Sequence, residues 1–149
     1  MEIRPIEPPD LTEWLRMRLA LWPDHTAEEH RAEMNEILLD TDQSIFVAVR
    51  PGGGLCGFLE ASIHVNTYGT ETSPVGYIEG WYVDADVRRQ GVGGMLVKAA
   101  EAWTVERGFR EIASDCEIDN LTSLQAHLAL GDDEVERLIH FHKVLEGAQ

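Results

Sequence analysis

The chain has 149 residues, 44% of them hydrophobic, and its 27 acidic and 12 basic side chains give a formal charge of −15. A chain of this length typically folds as one domain that buries about two thirds of its unfolded surface, so we expect residues 1–149 to form a single domain. The charge argues against a nucleic-acid partner, whose phosphates need a basic surface, and indicates either solubility alone or a cationic ligand.

The sequence also argues against a membrane partner or export. Its apolar runs fall short of the roughly 20 residues that span a bilayer, and Met1-Glu2-Ile3-Arg4-Pro5 is not a secretory signal. The two cysteines, Cys56 and Cys116, lack the spacing of metal ligands. We therefore expect no metal, two small buried thiols and a cytoplasmic location.

The first forty residues predict one strand and two helices. Residues 3–6 form the strand, and Asp10-Leu11-Thr12-Glu13 has the form of a capping box that begins a helix. The apolar face of that helix consists of Leu11, Trp14, Leu15 and Leu19. A second capping box at residues 26–29 begins a helix with apolar positions Met34, Ile37 and Leu38.

Three strands are predicted next. Residues 44–49 and 55–65 are joined by the glycine-rich turn 51–54, which indicates a hairpin. After a polar loop at 66–74, residues 75–83 form a further strand that Gly80 interrupts. An isolated glycine within a strand often marks a bulge or the close approach of a ligand, so we expect one of these at Gly80.

A glycine turn follows that strand and begins a helix that ends near Gly108. The sequence of this turn is Arg88-Arg89-Gln90-Gly91-Val92-Gly93-Gly94-Met95. Its glycines let backbone N–H groups approach a ligand at the positive end of the helix dipole. It lacks both the Lys-Ser/Thr of a nucleotide-triphosphate loop and the third spaced glycine of a dinucleotide fingerprint. The pattern favours a pyrophosphate site over a tight turn without a ligand.

The remaining residues predict a short strand at 111–115, a helix at 120–130 closed by Gly131, and a terminal strand or hairpin at 134–145. His140 and His142 would share one face of that terminal strand, and we interpret them as solvated histidines because a metal site would need a set of further ligands that the sequence does not offer. The predicted order of elements is β-α-α-β-β-β-α-β-α-β, a mixed sheet flanked by helices.

This order and the Arg-x-x-Gly-x-Gly turn resemble the GNAT acetyltransferases. Residues 21–23, 69–80, 113–115, 120–131 and 134–137 are similar more specifically to the aminoglycoside 6′-N-acetyltransferases. The resemblance implies an α/β (α+β) GNAT fold, in which a mixed central β-sheet is splayed at the cofactor site and flanked by about four helices. It also implies acetyl-CoA as the acetyl donor, a cationic aminoglycoside as the acceptor, and a homodimer.

The resemblance assigns the donor site to two strand residues, the glycine turn and the last helix. Amides of residues 90–94 would hold the coenzyme A pyrophosphate, the strand at Tyr82 and Val83 would pair with the pantetheine arm, and Asn120 would hydrogen-bond that arm. His127 would bind coenzyme A or protonate its thiolate, although a capped core histidine is the favoured interpretation. The expected cofactor-binding residues are Tyr82, Val83, Arg88, Arg89, Gln90, Gly91, Val92, Gly93, Gly94, Met95, Asn120 and His127.

The resemblance assigns the acceptor site to three acids and three side-chain walls. Glu79 and Asp115 are the expected catalytic carboxylates, because a protonated amine must lose a proton before it can attack a thioester. The expected substrate-binding residues are Trp22, His25, Tyr68, Glu79, Asp115 and Glu136. Trp22 could equally pack in the core, and His25 could lie on the surface.

Two positions depart from the family pattern. The loop Val65–Tyr68 is one residue shorter than expected, which places the equivalence of Tyr68 in question, and Asp132 stands where a Phe is usual. The sequence therefore predicts an aminoglycoside 6′-N-acetyltransferase acting by direct attack in a ternary complex. The alternatives are a GNAT enzyme for a polyamine, a lysine or a protein N-terminus, and a non-catalytic coenzyme A-binding module.

Overall fold

Five strands form one mixed sheet in the order β1-β2-β3-β4-β5 in the computed structural model, which describes residues 1–147. The strands are β1 (Glu2–Pro5), β2 (Gln43–Val49), β3 (Leu55–His64), β4 (Val75–Val83) and β5 (Ile112–Ser114). The first four pair antiparallel and β5 pairs parallel to β4. The helices are α1 (Leu11–Leu21), α2 (Ala27–Leu39), α3 (Val92–Glu106) and α4 (Leu121–Ala129), with short 3-10 turns at Pro8–Asp10 and Ala85–Val87.

The alternation of side chains along the strands builds one hydrophobic core on each face of the sheet. Phe58 on β3 packs in a cluster with residues of α1 and α2, whereas its neighbour Leu59 packs in a cluster with residues of α3. Both side chains are fully buried, and each such burial contributes about 1.5–3 kcal/mol. Trp22 and Glu79, two of the candidate acceptor residues, lie on the α1–α2 face of the sheet.

A β-bulge in β4 interrupts the pairing with β3. Glu60 pairs with Gly80 and Ala61 pairs with Ile78, so Glu79 is an extra residue that has no partner in the register. Gly80 has a second role, since a Cβ at this position would lie 2.5 Å from Cη2 of Trp22. The sequence-based prediction of an irregularity at Gly80 is confirmed, and the indole of Trp22 explains why a side chain is absent there.

Strands β4 and β5 separate after a short paired stretch. The parallel register covers only Gly76 to Ile78 on β4, whereas β4 itself continues to Val83. The second half of β4 therefore has no β5 partner along its outer edge, which is the splayed sheet that the resemblance implies.

The two predicted capping boxes have different outcomes. At α2, Oγ1 of Thr26 accepts the Glu29 N–H at 3.1 Å and Oε1 of Glu29 accepts the Thr26 N–H at 3.0 Å, as predicted. At α1 the prediction is wrong, because the Asp10 carboxylate accepts the Glu7 N–H at 2.8 Å and pairs with the Arg4 guanidinium at 2.6 Å. These stronger partners leave the Asp10 side chain unavailable to cap α1.

The chain divides into two compact units, Met1–Asp115 and Cys116–Gln149, and the second contains α4. The Asn120 side chain caps α4 by accepting the Ser123 N–H at 3.1 Å, and Gly131 follows the helix with a φ of 91°. The predicted terminal strand at 134–145 is wrong within the described residues, which lack regular secondary structure there. A strand needs a neighbouring strand for its N–H and C=O groups, and this unit provides none among the described residues.

Two smaller expectations are also corrected. Cys56 is buried as expected, but Cys116 is exposed because it lies in the irregular segment between β5 and α4, and both thiols are free. His140 and His142 are exposed as expected, but they lie outside any strand.

Candidate active site

Glu79 is held at the bulge by two side chains of the neighbouring strand. Its Oε1 accepts the Ser62 hydroxyl at 2.7 Å and contacts Nε2 of His64 in a short hydrogen bond. Ser62 and His64 are two residues apart on β3 and therefore lie on the same face. The Glu79 side chain remains 38% exposed, so it is fixed in place yet still accessible to a ligand.

Tyr77 connects this group to Asp115. Its ring lies parallel to the His64 imidazole, with centroids 4.1 Å apart and an angle of 5° between the planes. Its hydroxyl donates to Oδ2 of Asp115 at 2.5 Å. Burial, together with the Asp115 and Glu79 carboxylates, raises the pKa of Tyr77, so the phenol stays protonated as a donor.

Register and alternation explain why these residues meet on one face. Tyr77 pairs with Ser62 on β3 and with Ala113 on β5, and paired residues of adjacent strands lie side by side. Asp115 lies two residues beyond Ala113 and therefore returns to the same face. The structure thus places Glu79 and Asp115 on one face of the sheet, connected through His64 and Tyr77.

Trp22 packs against the bulge at Gly80. Its ring packs over Gly80 and edge-on to Phe58, and the Arg18 guanidinium lies 4.8 Å from its centroid. The side chain belongs in part to the α1–α2 core, which is one of the two interpretations of Trp22 made from the sequence.

A buried ionic cluster supports Trp22 from behind. Arg18 pairs with Glu60, which also accepts the Trp14 indole N–H at 2.9 Å, and Arg18 donates to Nδ1 of His30 at 3.1 Å. Because that nitrogen accepts, Nε2 of His30 holds the proton and donates to the Trp22 carbonyl at 3.0 Å. Burial raises the pKa of Glu60, while the Arg18 charge opposes the shift.

The other two proposed walls are exposed. His25 lies beyond the end of α1, edge-on to His30 at 5.8 Å, with Nδ1 3.8 Å from a Glu29 oxygen. Tyr68 lies in the loop between β3 and β4 and is 72% exposed. These two residues are less constrained than Trp22.

The glycine turn has the backbone conformation that an anion site needs. Gly91 adopts a φ of 82° at the N-cap of α3, and Arg89 also lies in the left-handed region with a φ of 64°. The first N–H groups of a helix have no partner within the helix, so those of residues 92–94 are available to a ligand. Arg88, Arg89, Gln90 and Met95 are exposed around them.

A network of charged groups fixes the end of β4 beside this turn. Arg88 Nε donates to the Val83 carbonyl at 2.8 Å, and the Tyr82 hydroxyl donates to Asp84 at 3.0 Å. Asp84 also pairs with Arg16 and Arg50. Burial alone would raise the pKa of Asp84, but these hydrogen bonds hold the pKa below its usual value.

The second unit contains the remaining three predicted site residues. Asn120 caps α4 through its side-chain oxygen, and Nδ1 of His127 lies 2.8 Å from the Ser123 carbonyl within the same helix. His127 is half-buried, whereas Glu136 is exposed in the irregular segment.

Sequence reasoning did not identify Ser62, His64 or Tyr77 as part of this group. Tyr77 is two residues from Glu79 on the same strand, so alternation alone could have placed it beside the acids. Ser62 and His64 could be found only from the β3–β4 register, which the intervening loop does not reveal.

No cluster of three or more His, Cys, Asp or Glu residues suited to a metal occurs among residues 1–147. Within the same range, none of the helices is long and apolar enough to cross a bilayer.

Comparison with known proteins agrees with this architecture. The model of the Acetyltransferase (GNAT) family matches residues 9–131. A curated relative from Klebsiella aerogenes, "Aminoglycoside N(6')-acetyltransferase type 1", is 44% identical over 96% of each chain. A protein of the same name from Stenotrophomonas maltophilia is 40% identical over 97% of this chain and 94% of its own.

Solved structures give the same result. An aminoglycoside antibiotic 6′-N-acetyltransferase from Acinetobacter haemolyticus superposes with a TM-score of 0.92 at 37% identity, covering 98% of this chain and 100% of its own. AAC(6')-Iy, in complex with the bisubstrate analogue CoA-S-monomethyl-acetylneamine, gives a TM-score of 0.91 at 36% identity, covering 97% and 98%. The family match and these near-complete similarities together show that the chain belongs to the GNAT family of acetyltransferases.

Proposed function

We propose that this protein transfers the acetyl group of acetyl-CoA to the 6′-amine of aminoglycosides by direct attack in a ternary complex. The observation that supports it most directly is the β4 bulge, because Glu79 precedes Gly80, over which Trp22 packs, and lies on the same face as Asp115. The names of the curated relatives agree with this acceptor.

The donor site consists of the glycine turn and the free edge of β4. The helix N-terminus at residues 92–94, with Arg88 and Arg89 nearby, suits a pyrophosphate, because amides and positive charge meet there in an otherwise acidic chain. Tyr82 and Val83 lie where β4 has lost its β5 partner, so an extended pantetheine arm could pair with that edge. Gln90, Gly91, Met95, Asn120 and His127 complete the proposed donor set.

The acceptor site uses carboxylates to hold and deprotonate an amine. Each carboxylate–ammonium contact is worth up to ~4 kcal/mol at 4 Å in a partly screened site, before desolvation is subtracted. Glu79 or Asp115 accepts the proton directly or through water, and the amine then attacks the thioester, which is already activated. Trp22, His25, Tyr68 and Glu136 are the proposed additional contacts to the sugar rings and their amines.

Positioning contributes more than base chemistry in this scheme. Holding the amine and the thioester in attack geometry is worth ~7–11 kcal/mol, compared with ~3–5 kcal/mol for a general base. No covalent acyl-enzyme is required, and the buried Cys56 is unsuited to form one, since burial raises the pKa of its thiol.

A thiol-release assay tests the proposal. The protein is incubated with acetyl-CoA and either aminoglycosides that bear a free 6′-amine, aminoglycosides that have a 6′-hydroxyl, polyamines or lysine peptides. Release confined to the first group is the expected result. Release with polyamines or peptides alone would indicate a different GNAT acceptor, and coenzyme A binding without release would indicate a non-catalytic module.

Three further properties belong to the same proposal. Residues 1–149 act as one domain, since the family match extends across the boundary between the two compact units. The protein is a homodimer, since apolar side chains such as Ile139, Phe141 and Val144 are about 80–90% exposed and need cover. Its location is cytoplasmic, where acetyl-CoA is available. Sedimentation of the purified protein would test the dimer.

A further inference from the structure

Two stacked rings lie between the carboxylates that the proposed function assigns to the acceptor amine. His64 is hydrogen-bonded to Glu79, and Tyr77 donates to Oδ2 of Asp115. The rings themselves are parallel and 4.1 Å apart. Each ring therefore presents one polar atom to one carboxylate and one face to the other ring.

The stack connects the acids mechanically and provides no route for a proton. Stacked faces have no hydrogen bond between them, so a proton on His64 cannot pass to Tyr77 through this contact. Ring contact does restrict both side chains, because neither ring can rotate without losing its neighbour. The arrangement is suited to fixing two carboxylates that lie on different strands.

Each carboxylate keeps one oxygen available for a ligand. Both protein contacts to Glu79, from Ser62 and His64, use Oε1, and the contact of Tyr77 to Asp115 uses Oδ2. Within residues 1–147, Oε2 of Glu79 and Oδ1 of Asp115 have no hydrogen-bond partner. An exposed carboxylate would otherwise sample several rotamers, and ordering it in advance lowers the entropy lost on binding.

We infer that His64 and Tyr77 are positioning residues, which hold Glu79 and Asp115 as a pre-ordered pair for the ammonium groups of one acceptor molecule. The inference rests on the proposed function. It predicts that the rings affect recognition of the acceptor amine and leave recognition of acetyl-CoA unchanged.

Four single variants separate the hydrogen bonds from the stack. Tyr77→Phe keeps the ring and removes the hydroxyl, and His64→Phe keeps a flat ring and removes the donor to Glu79. His64→Gln keeps an N–H donor without the ring, so it should recover part of the loss in His64→Phe. His142→Phe is the matched control, since His142 is exposed and lies outside the proposed site.

We expect Tyr77→Phe and His64→Phe each to raise the aminoglycoside KM about three- to tenfold, which is the loss for ordering one carboxylate side chain on binding. The acetyl-CoA KM should stay within about twofold of the unaltered protein, and the thermal midpoint should change little. An unchanged aminoglycoside KM in both variants, or an equal rise in both KM values, would overturn the inference.

Double variants test whether each ring acts through its own acid. Adding Tyr77→Phe to Asp115→Asn should cause little further loss, and the same holds for His64→Phe added to Glu79→Gln. Losses that multiply would show that the rings act independently of the carboxylates and would refute the positioning role.

A crystal structure of Tyr77→Phe separates this inference from the proposed function. If the unaltered protein acetylates no aminoglycoside, the proposed function fails, but the structure still shows whether Asp115 depends on Tyr77. An Asp115 carboxylate that has left its position, or occupies several, supports the inference. A carboxylate unchanged in position and order contradicts it.

Discussion

Replacing Gly80 with alanine would test whether the contact between the bulge and Trp22 shapes the acceptor site. The added Cβ would lie 2.5 Å from Cη2 of Trp22, whereas ordinary contact begins at 3.4 Å, so the ring must withdraw by about 0.9 Å. The Trp22 ring has little room to move, because Phe58, His30 and the Arg18 guanidinium surround it. Overpacking of this kind typically costs about 1–3 kcal/mol of unfolding free energy.

Two measurements follow from this displacement. The thermal midpoint should fall by about 2–4 °C for each kcal/mol lost in a protein of this size. Because a misplacement of about 1 Å at a site lowers turnover by up to ~100-fold, kcat/KM for the aminoglycoside should fall about 10- to 100-fold. The KM for acetyl-CoA should change less, since the added methyl group displaces Trp22, which is not among the proposed donor residues.

Gly52→Ala provides the matched control. A Cβ at Gly52 meets nothing within 4 Å, so the same change of residue should leave stability and kinetics unaltered or raise stability slightly through the unfolded chain. If Gly80→Ala matches Gly52→Ala in both stability and kinetics, the prediction is wrong, because Trp22 would then have more free space around it than the structure shows.

Three further variants probe the acids. Asp115→Asn should lower turnover and aminoglycoside affinity without abolishing either, because positioning survives; unchanged catalytic efficiency would remove Asp115 from the mechanism. Glu60→Gln removes the buried partner of the Arg18 charge, which keeps only the more exposed Glu33 at 3.0 Å, and should lower the free energy of unfolding in urea by up to about 3–5 kcal/mol; a loss below 1 kcal/mol would mean that Glu33 or water compensates the Arg18 charge. The pKa of Asp84 is lowered on folding, so its contribution is present above pH ~4 and is lost as pH falls further. Asp84→Asn should therefore flatten the acid limb of a stability–pH curve, and an unchanged limb would contradict this.

Local signals predicted most of the sheet and helices. The strand at 75–83 and the helix cap at Thr26 were predictable because alternation and capping depend on residues close in sequence. The cap at Asp10 was not, because Arg4 on the neighbouring strand competes for the carboxylate. Alternation at 134–145 is necessary for a strand but does not supply the partner strand that one needs.

The candidate site was predictable where a motif or a resemblance marked it. Glu79, Asp115 and the glycine turn lie in distinctive stretches, whereas Ser62 and His64 lie in an ordinary apolar strand. Their participation depends on the alignment of β3 with β4, which is set by a loop of ten residues between them. The stacking of His64 on Tyr77 is visible only in the three-dimensional structure.

The single additional residue at the bulge also reverses which side chains of β4, odd-numbered or even-numbered, face α3. Before it, even-numbered Ile78 packs toward α3, and after it odd-numbered Trp81 and Val83 do so, while Tyr82 packs on the opposite side. Substituting Glu79 would alter only one side chain. Deleting it would exchange the two faces of the half of β4 that follows the bulge. We therefore expect the fold to tolerate a substitution at position 79 far better than a deletion. The acidic side chains of this site could thus be exchanged to suit other amines without disturbing the core.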